Sequence, residues 1–421
     1  MNIPFKIAFN TSAQVLGKIA TTLSTIIVVI LITRNFSVAD FGNYTVIISY
    51  IALFYVFTDF GLNAIFVREV GEDGEKQREY FKNLLSIRIV SSIITAFAAT
   101  AVLAFTNHPS AMKLGIIASL GILFAQSLVN TALALFQAKI RYNQALVGDI
   151  IGAIANVAFV YIAATYFHQI FFIILALVIG NMLKAAVVLY LAKFQLGIIG
   201  LKFDLPFWKK FIFAALPVGL ITVFSQFNAQ IDKQIVLLAS YKPSLGFTGG
   251  EAAGIYGLAY TVFGFAIVLP TFVMNVGYPL MVQKKEAGVG SLLKFSKKMG
   301  GYLLVLGILG TSFGWLLTPT LLDILGQGKF TESIFTTRLL LLGLPLFFIT
   351  PVTLWLAITL NKQREMLFIY AFVAAFNLVA NLMSVPTFGY NAAAVVTLIS
   401  ELFIFLLTTG VLYIHFRSEK K

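Results

Sequence analysis

Eight charged side chains fall inside stretches of this chain that are otherwise apolar: Lys18, Asp59, Arg88, Asp149, Lys184, Asp232, Lys233 and Glu401. Where such a stretch crosses a bilayer, a charge at its centre costs at least ~2.5 kcal/mol. It is retained when it faces water, pairs, or binds a substrate or ion. Two chemistries are open to this set. Cations at Lys18, Arg88 and Lys184 suit an anionic group, which they would hold by charge-assisted hydrogen bonds. Asp232 and Glu401, with Asn377 and Asn381 spaced i,i+4 and Thr397 one turn before Glu401, offer oxygen donors that suit Na⁺, or acids that share a proton. Other readings stay open: Lys233 or Arg338 could take the cation's place by pairing with Asp232 or Glu401. Basic side chains near an interface can snorkel, and Asp59 and Asp149 are candidate counter-charges.

The composition supplies the bilayer. With 59% hydrophobic and 11% charged residues in 421, and a mean hydropathy of +0.92, the chain is far more apolar than a soluble domain, where about 25% of residues are charged. Segments of the ~20 residues needed to cross fall near 12–33, 43–65, 82–105, 114–138, 145–166, 170–192, 210–238, 254–282, 300–322, 332–360, 366–386 and 391–416. The sequence therefore predicts an all-α integral membrane protein of twelve transmembrane helices. Lys18 interrupts the first apolar segment, which is read as a retained helix and not as a cleaved leader.

Alternate loops differ sharply in charge. One set, with its flanks, carries 21 of the Lys and Arg residues and the other only Arg34, Lys113, Lys242, Lys329 and Arg338. Basic residues stay on the cytoplasmic side, so both termini are expected there, and most of the +13 net charge becomes a topology signal lying against anionic lipid. Nucleic acid is a poor second reading of that charge. All loops are too short for a catalytic domain, which argues against an enzyme. Zero cysteines exclude disulfides and thiolate metal sites, and the three His residues sit at span ends. No nucleotide site is visible, because Gly326-Gln-Gly-Lys329 lacks the earlier Gly and the following Ser or Thr of a phosphate loop.

The halves echo each other. Ala39-Asp-Phe-Gly42-Asn-Tyr44 opens the second span and Glu251-Ala-Ala-Gly254-Ile-Tyr256 the eighth; Lys139-Ile-Arg141 answers Lys362-Gln-Arg364, Asn156 answers Asn377, and Asn181 answers Glu401. An even number of spans per half makes the repeats parallel. The expected organisation is two pseudo-symmetric six-helix lobes, residues 1–207 and 208–421, around a central cavity. Pro217, Pro270, Pro279, Pro345 and Pro351 interrupt spans of the second half, as hinges or as static kinks. By depth, Lys18, Arg88 and Lys184 lie roughly 10 Å from the cytoplasmic ends of their spans, and Asp232, Asn377, Asn381, Thr397 and Glu401 about 8 to 15 Å from the opposite ends.

The order of these elements resembles the polysaccharide transporter, or Wzx-type O-antigen flippase, branch of the multidrug/oligosaccharidyl-lipid/polysaccharide (MOP) exporter superfamily. The likeness is carried by Asn10-Thr-Ser-Ala-Gln14 with Gly17-Lys18, Thr33-Arg34-Asn-Phe, Asp40-Phe-Gly-Asn-Tyr44, Asp59-Phe-Gly-Leu62 with Arg68-Glu69, Asp232-Lys233 and Gly254-Ile-Tyr256 with Ala259-Tyr260. It continues through Asn377-x-x-x-Asn381, Val385-Pro386-x-x-Gly389, Ala392-Ala-Ala and Thr397-Leu-Ile-Ser-Glu401. Asn391, where members carry a small residue, and Asn181 depart from the pattern.

The resemblance implies a flippase that carries an undecaprenyl-pyrophosphate-linked oligosaccharide across the bacterial cytoplasmic membrane by alternating access. Its partners would be the lipid-linked oligosaccharide, membrane lipids, and the polymerase and ligase of the same pathway. Lys18, Arg88 and Lys184 would then be head-group contacts and Arg34 an exit-side contact. Asp232, Asn377, Asn381, Thr397 and Glu401 would form a Na⁺ or proton site, with no other cofactor. The alternatives are a cation-coupled multidrug exporter of the same superfamily, which favours acids in the first half, and a lipid II flippase.

Overall fold

A computed structural model describes residues 3–70, 74–139, 141–197 and 200–418, without the side chains of residues 3–11, 275 and 276. Lys420 and Lys421 of the basic loops, Ile140, and the side chains of Lys6 and of Asn10 and Thr11 of the first motif lie outside what is described. Apart from one short 3-10 turn at Pro243–Leu245, every described element is an α-helix. In chain order they are α1 (Ile3–Asn35), α2 (Val38–Asp59), α3 (Leu62–Val70), α4 (Gly74–Ala104), α5 (Ser110–Ala138), α6 (Tyr142–Tyr166), α7 (Ile170–Leu196), α8 (Leu205–Leu238), α9 (Gly249–Glu286), α10 (Val289–Gly326), α11 (Ser333–Leu341), α12 (Leu344–Thr359), α13 (Gln363–Phe388) and α14 (Tyr390–Ser418). Among the described residues, eleven spans are long and apolar enough to cross a membrane, and twelve if α11 and α12, bent by 41°, form one broken span. The all-α multi-pass architecture expected from hydropathy is therefore present. Its surface is that of a protein solvated by lipid, with Phe97, Phe105 and Phe194 each more than three-quarters exposed.

Local sequence accounts for the interruptions. α2 gives way to α3 at Phe60 and Gly61, which have φ of 40° and 72°. That left-handed region is costly for Phe and free for Gly. The bend before α12 falls at Leu342–Gly343, directly ahead of Pro345, which lacks an N–H to continue the ladder. Pro217, Pro270, Pro279 and Pro351 instead sit inside helices assigned as continuous. α9 begins with a capping box: the Thr248 hydroxyl accepts from the Glu251 N–H at 3.3 Å and the Glu251 carboxylate accepts from the Thr248 N–H at 2.8 Å.

The chain forms two compact units, residues 1–37 with 47–226, and residues 38–46 with 227–418 of the described chain. In the first, α1 packs on α6, α6 and α5 on α7, and α3 and α4 on α5. Three loops of the basic set converge at one end of it. Gly197 lies against Arg78, Gly200 against Lys82, and Lys202 Nζ pairs with Glu79 at 2.5 Å. Burial and the nearby Arg141 and Arg78 guanidiniums hold the Lys139 ammonium below its ordinary value. In the second unit, α10 and α14 pack on α12, α9 contacts α10, α11 and α12, and α13 packs on α14. The start of α2 belongs to this unit. Gly42 meets the backbone of Gly250 and Gly254 so closely that a Cβ on Gly42 or Gly254 would collide, a small-residue contact of the kind that lets membrane helices touch. The two motifs that echo each other in sequence thus pack directly together.

Candidate functional site

In the first unit the deep charges are paired. The turn at Phe60–Gly61 lets the last residue of α2 and the second of α3 face the same way. Asp59 Oδ1 and Asn63 Oδ1 both accept from Arg88 Nη2, at 2.7 and 2.9 Å. Arg88 on α4 is fully buried, and its Nη1 reaches the Thr131 hydroxyl of α5 at 3.4 Å while its Nε–H has no partner among the described residues. Asn130, also on α5, donates to Asp59 at 3.0 Å and to the Tyr55 hydroxyl. A second pair joins α7 to α6: Lys184 Nζ lies 2.6 Å from Asp149 Oδ1. The Lys184 stem packs on Gly152 and Asp149 lies against Gly17 of α1. Lys18, on the next residue of α1, is exposed, as is Arg34 at the far end of the same helix. Lys18 has no side-chain ion pair among the described residues.

The second unit holds its acids differently. Asp232 on α8 is fully buried; its Oδ2 accepts from the Tyr256 hydroxyl of α9 at 2.5 Å and from the Thr397 hydroxyl of α14 at 3.4 Å, and its Oδ1 from the Lys233 backbone N–H at 2.8 Å. One turn along α14, the Ser400 hydroxyl accepts from the Asn377 amide of α13 at 3.2 Å, and Asn381 donates to Asn377 Oδ1 at 3.0 Å. Both asparagines are fully buried, and Asn381 Oδ1 has no partner among the described residues. Glu401, also buried, is within hydrogen-bonding reach of Thr350 on α12. Tyr260 is in electrostatic range of both carboxylates. α14 therefore links the groups on α8 and α9 to those on α13.

Neither basic side chain weighed against these acids reaches them. Lys233 Nζ turns to Gln230 Oε1 at 2.8 Å and lies 3.9 Å over the Tyr260 ring. Arg338 donates to the Trp315 carbonyl at 3.2 Å and stacks on its ring. Among the described residues, no ion pair is made by Asp232 or Glu401, and no three His, Cys, Asp or Glu side chains cluster as metal ligands. A hard monovalent cation asks for less: one carboxylate, hydroxyls and amide oxygens. The unpartnered, fully buried Asn381 Oδ1 is an acceptor of that kind. Asn181 is taken up by the Leu177 carbonyl at 2.8 Å and Asn391 accepts from Thr336 at 2.7 Å.

Several participants escaped the reading of sites from sequence. Tyr256 looks like one aromatic among many in an apolar helix, although its place one turn from Tyr260 was visible. Ser400, Asn63 and Thr131 carry no formal charge to mark them. Asn130 was the legible one, an amide in the middle of an apolar span.

A family model described as polysaccharide biosynthesis protein matches residues 7–285. No curated protein sequence matches the chain. Among solved structures, the fold is similar to an inward-facing multidrug resistance MATE family transporter of the MOP superfamily, with TM-score 0.71 and 14% identity over 93% of this chain and 94% of that one. It is similar to the lipid II flippase MurJ in an inward closed conformation, with TM-score 0.71 and 14% identity over 95% and 87%. A MOP superfamily transporter from Pyrococcus furiosus, described as having a binding pocket of reverse polarity, gives TM-score 0.67 and 15% identity over 99% and 96%.

Proposed function

This chain belongs to the polysaccharide biosynthesis protein family, and from that premise we propose that it is a MOP-type flippase that carries a polyprenyl-pyrophosphate-linked oligosaccharide across the bacterial cytoplasmic membrane by alternating access. The family match over residues 7–285 is the observation that carries this reading. Lys18 would meet the pyrophosphate as it leaves water, joined by Lys184 once its pair with Asp149 opens, with Arg34 at the exit side. Arg88, fully buried and held by Asp59 and Asn63, would serve the head group only after its own pair opens. Asp232, Thr397, Asn377 and Asn381, joined by Tyr256, would hold Na⁺ or a proton, and Glu401 would act one turn away. When bound, that ion would supply the free energy that biases the cycle.

The test is a reconstitution. In proteoliposomes, a labelled polyprenyl-pyrophosphate-linked sugar is expected to gain accessibility in the opposite leaflet, and Lys18→Gln combined with Lys184→Gln and Asp149→Asn to slow it strongly. Unchanged transport in that triple variant would defeat the cationic contact. Asp232→Asn is expected to remove any Na⁺ or pH dependence.

A second reading, cation-coupled export of cationic compounds, is favoured by one observation. Asp59 and Asp149 neutralise two of the three deep cations of the first unit, so a net charge of only about +1 is left there to attract an anion. Lipid II is a further candidate substrate, with the same pyrophosphate chemistry and other sugars. Counter-transport of a cationic dye by the wild type, with no movement of any lipid-linked sugar, would select the exporter.

A further inference from the structure

We infer that a groove between α10, α12 and α14 is a binding site for one anionic phospholipid of the leaflet that the basic loops face, with its phosphate on Lys297 and Arg417 and an acyl chain along the groove. The cavity measures about 740 Å³ and lies wholly within the second unit. α12 forms its floor, since α10 and α14 both pack on that helix. Its walls are apolar over most of their length, with Gly300 and Gly301 of α10 leaving room where side chains would otherwise project.

The two ends of the groove are chemically unlike. Lys297 and Arg417 line one end, both exposed and neither with an acidic partner among the described residues. Both belong to the basic loop set of the sequence. Basic pockets between membrane helices at that face bind anionic lipid head groups, and two forked or ammonium donors suit a phosphodiester. From Arg417 the groove follows α14 to Phe405, a rise of roughly 18 Å. That is close to half of the ~30 Å hydrocarbon core. A lipid anchored at the basic end would therefore lay one chain along the groove without leaving its own leaflet. The inference does not depend on what the protein transports.

Native mass spectrometry of the full-length protein in detergent tests it, with equimolar phosphatidylglycerol and phosphatidylcholine of matched chains. The wild type is expected to retain one phosphatidylglycerol in preference. Lys297→Gln with Arg417→Gln should cut that preference by about fivefold per cation removed. Gly301→Trp should expel both lipids with the charges intact, because no heavy atom lies within 4 Å of a Cβ added there and the ring can occupy the groove. Equal retention of the two lipids by the wild type, or undiminished phosphatidylglycerol in the charge variant, would overturn the site. So would polyprenyl phosphate displacing phosphatidylglycerol, or a dimer of the chain lost in Gly301→Trp. If Gly301→Trp does not fold, the charge variant alone decides.

Discussion

The two units bury charge by opposite means. In the first, Arg88 and Lys184 each face a carboxylate, so the cost of removing a charge from water is offset by a partner on a neighbouring helix. In the second, Asp232 and Glu401 are as deeply buried, yet their neighbours are hydroxyls, amides and rings, and the nearest ammonium, that of Lys233, points to Gln230. A paired charge holds helices together and has little left to offer a ligand until the pair opens. An unpaired carboxylate among neutral donors keeps its demand for a cation. The first arrangement suits a latch and the second a site.

This contrast can be broken experimentally, and the largest effect is expected at the latch. Arg88→Met strands Asp59 and should cost about 3–5 kcal/mol, read as a lower thermal midpoint in detergent; adding Asp59→Asn should recover most of it. A double variant no better than the single one would mean that the pair does not join α2 to α4. Next comes Tyr256→Phe, which deletes the hydroxyl that donates to Asp232 and should cost about 1.5–3 kcal/mol. The same change should shift the Na⁺ or pH midpoint of transport, an effect that a purely structural tyrosine would not produce. Asn381→Ala should cost only about 0.6 kcal/mol while weakening Na⁺ dependence, and an unaltered dependence would remove Asn381 from the cation site. Lys18→Gln is expected to leave the thermal midpoint unchanged and to slow transport, since Lys18 is exposed and makes no ion pair among the described residues. A fall in midpoint would move Lys18 to the paired class.

Much of this was legible in the chain. Hydropathy alone predicted the helices, because lipid demands a run of apolar residues whatever the partners are. The i,i+4 spacing of Asn377 and Asn381 placed them on one helix face, where they hydrogen-bond to each other, and the counter-charges Asp59 and Asp149 stand where they were expected. Thr397 and Glu401 share a face by spacing, but only Thr397 reaches Asp232, because one turn of helix separates what two neighbouring helices present. The break at Phe60–Gly61 was hidden, since Asp59-Phe-Gly-Leu62 reads equally as a continuing span. The left-handed turn that aims Asp59 and Asn63 at Arg88 depends on backbone angles that no hydropathy pattern encodes.

The seating of Gly42 against Gly250 and Gly254 has a consequence for biogenesis. Thr45, three residues from Gly42, meets the Ala253 carbonyl across a sequence separation of 208 residues. At ribosomal rates of about 5–20 residues per second, the early strip emerges roughly 10–40 s before its partner. The start of α2 must therefore wait in the membrane, its small-residue face uncovered, until the second unit's first complete helix is inserted. Truncated or stalled chains would leave that face bare.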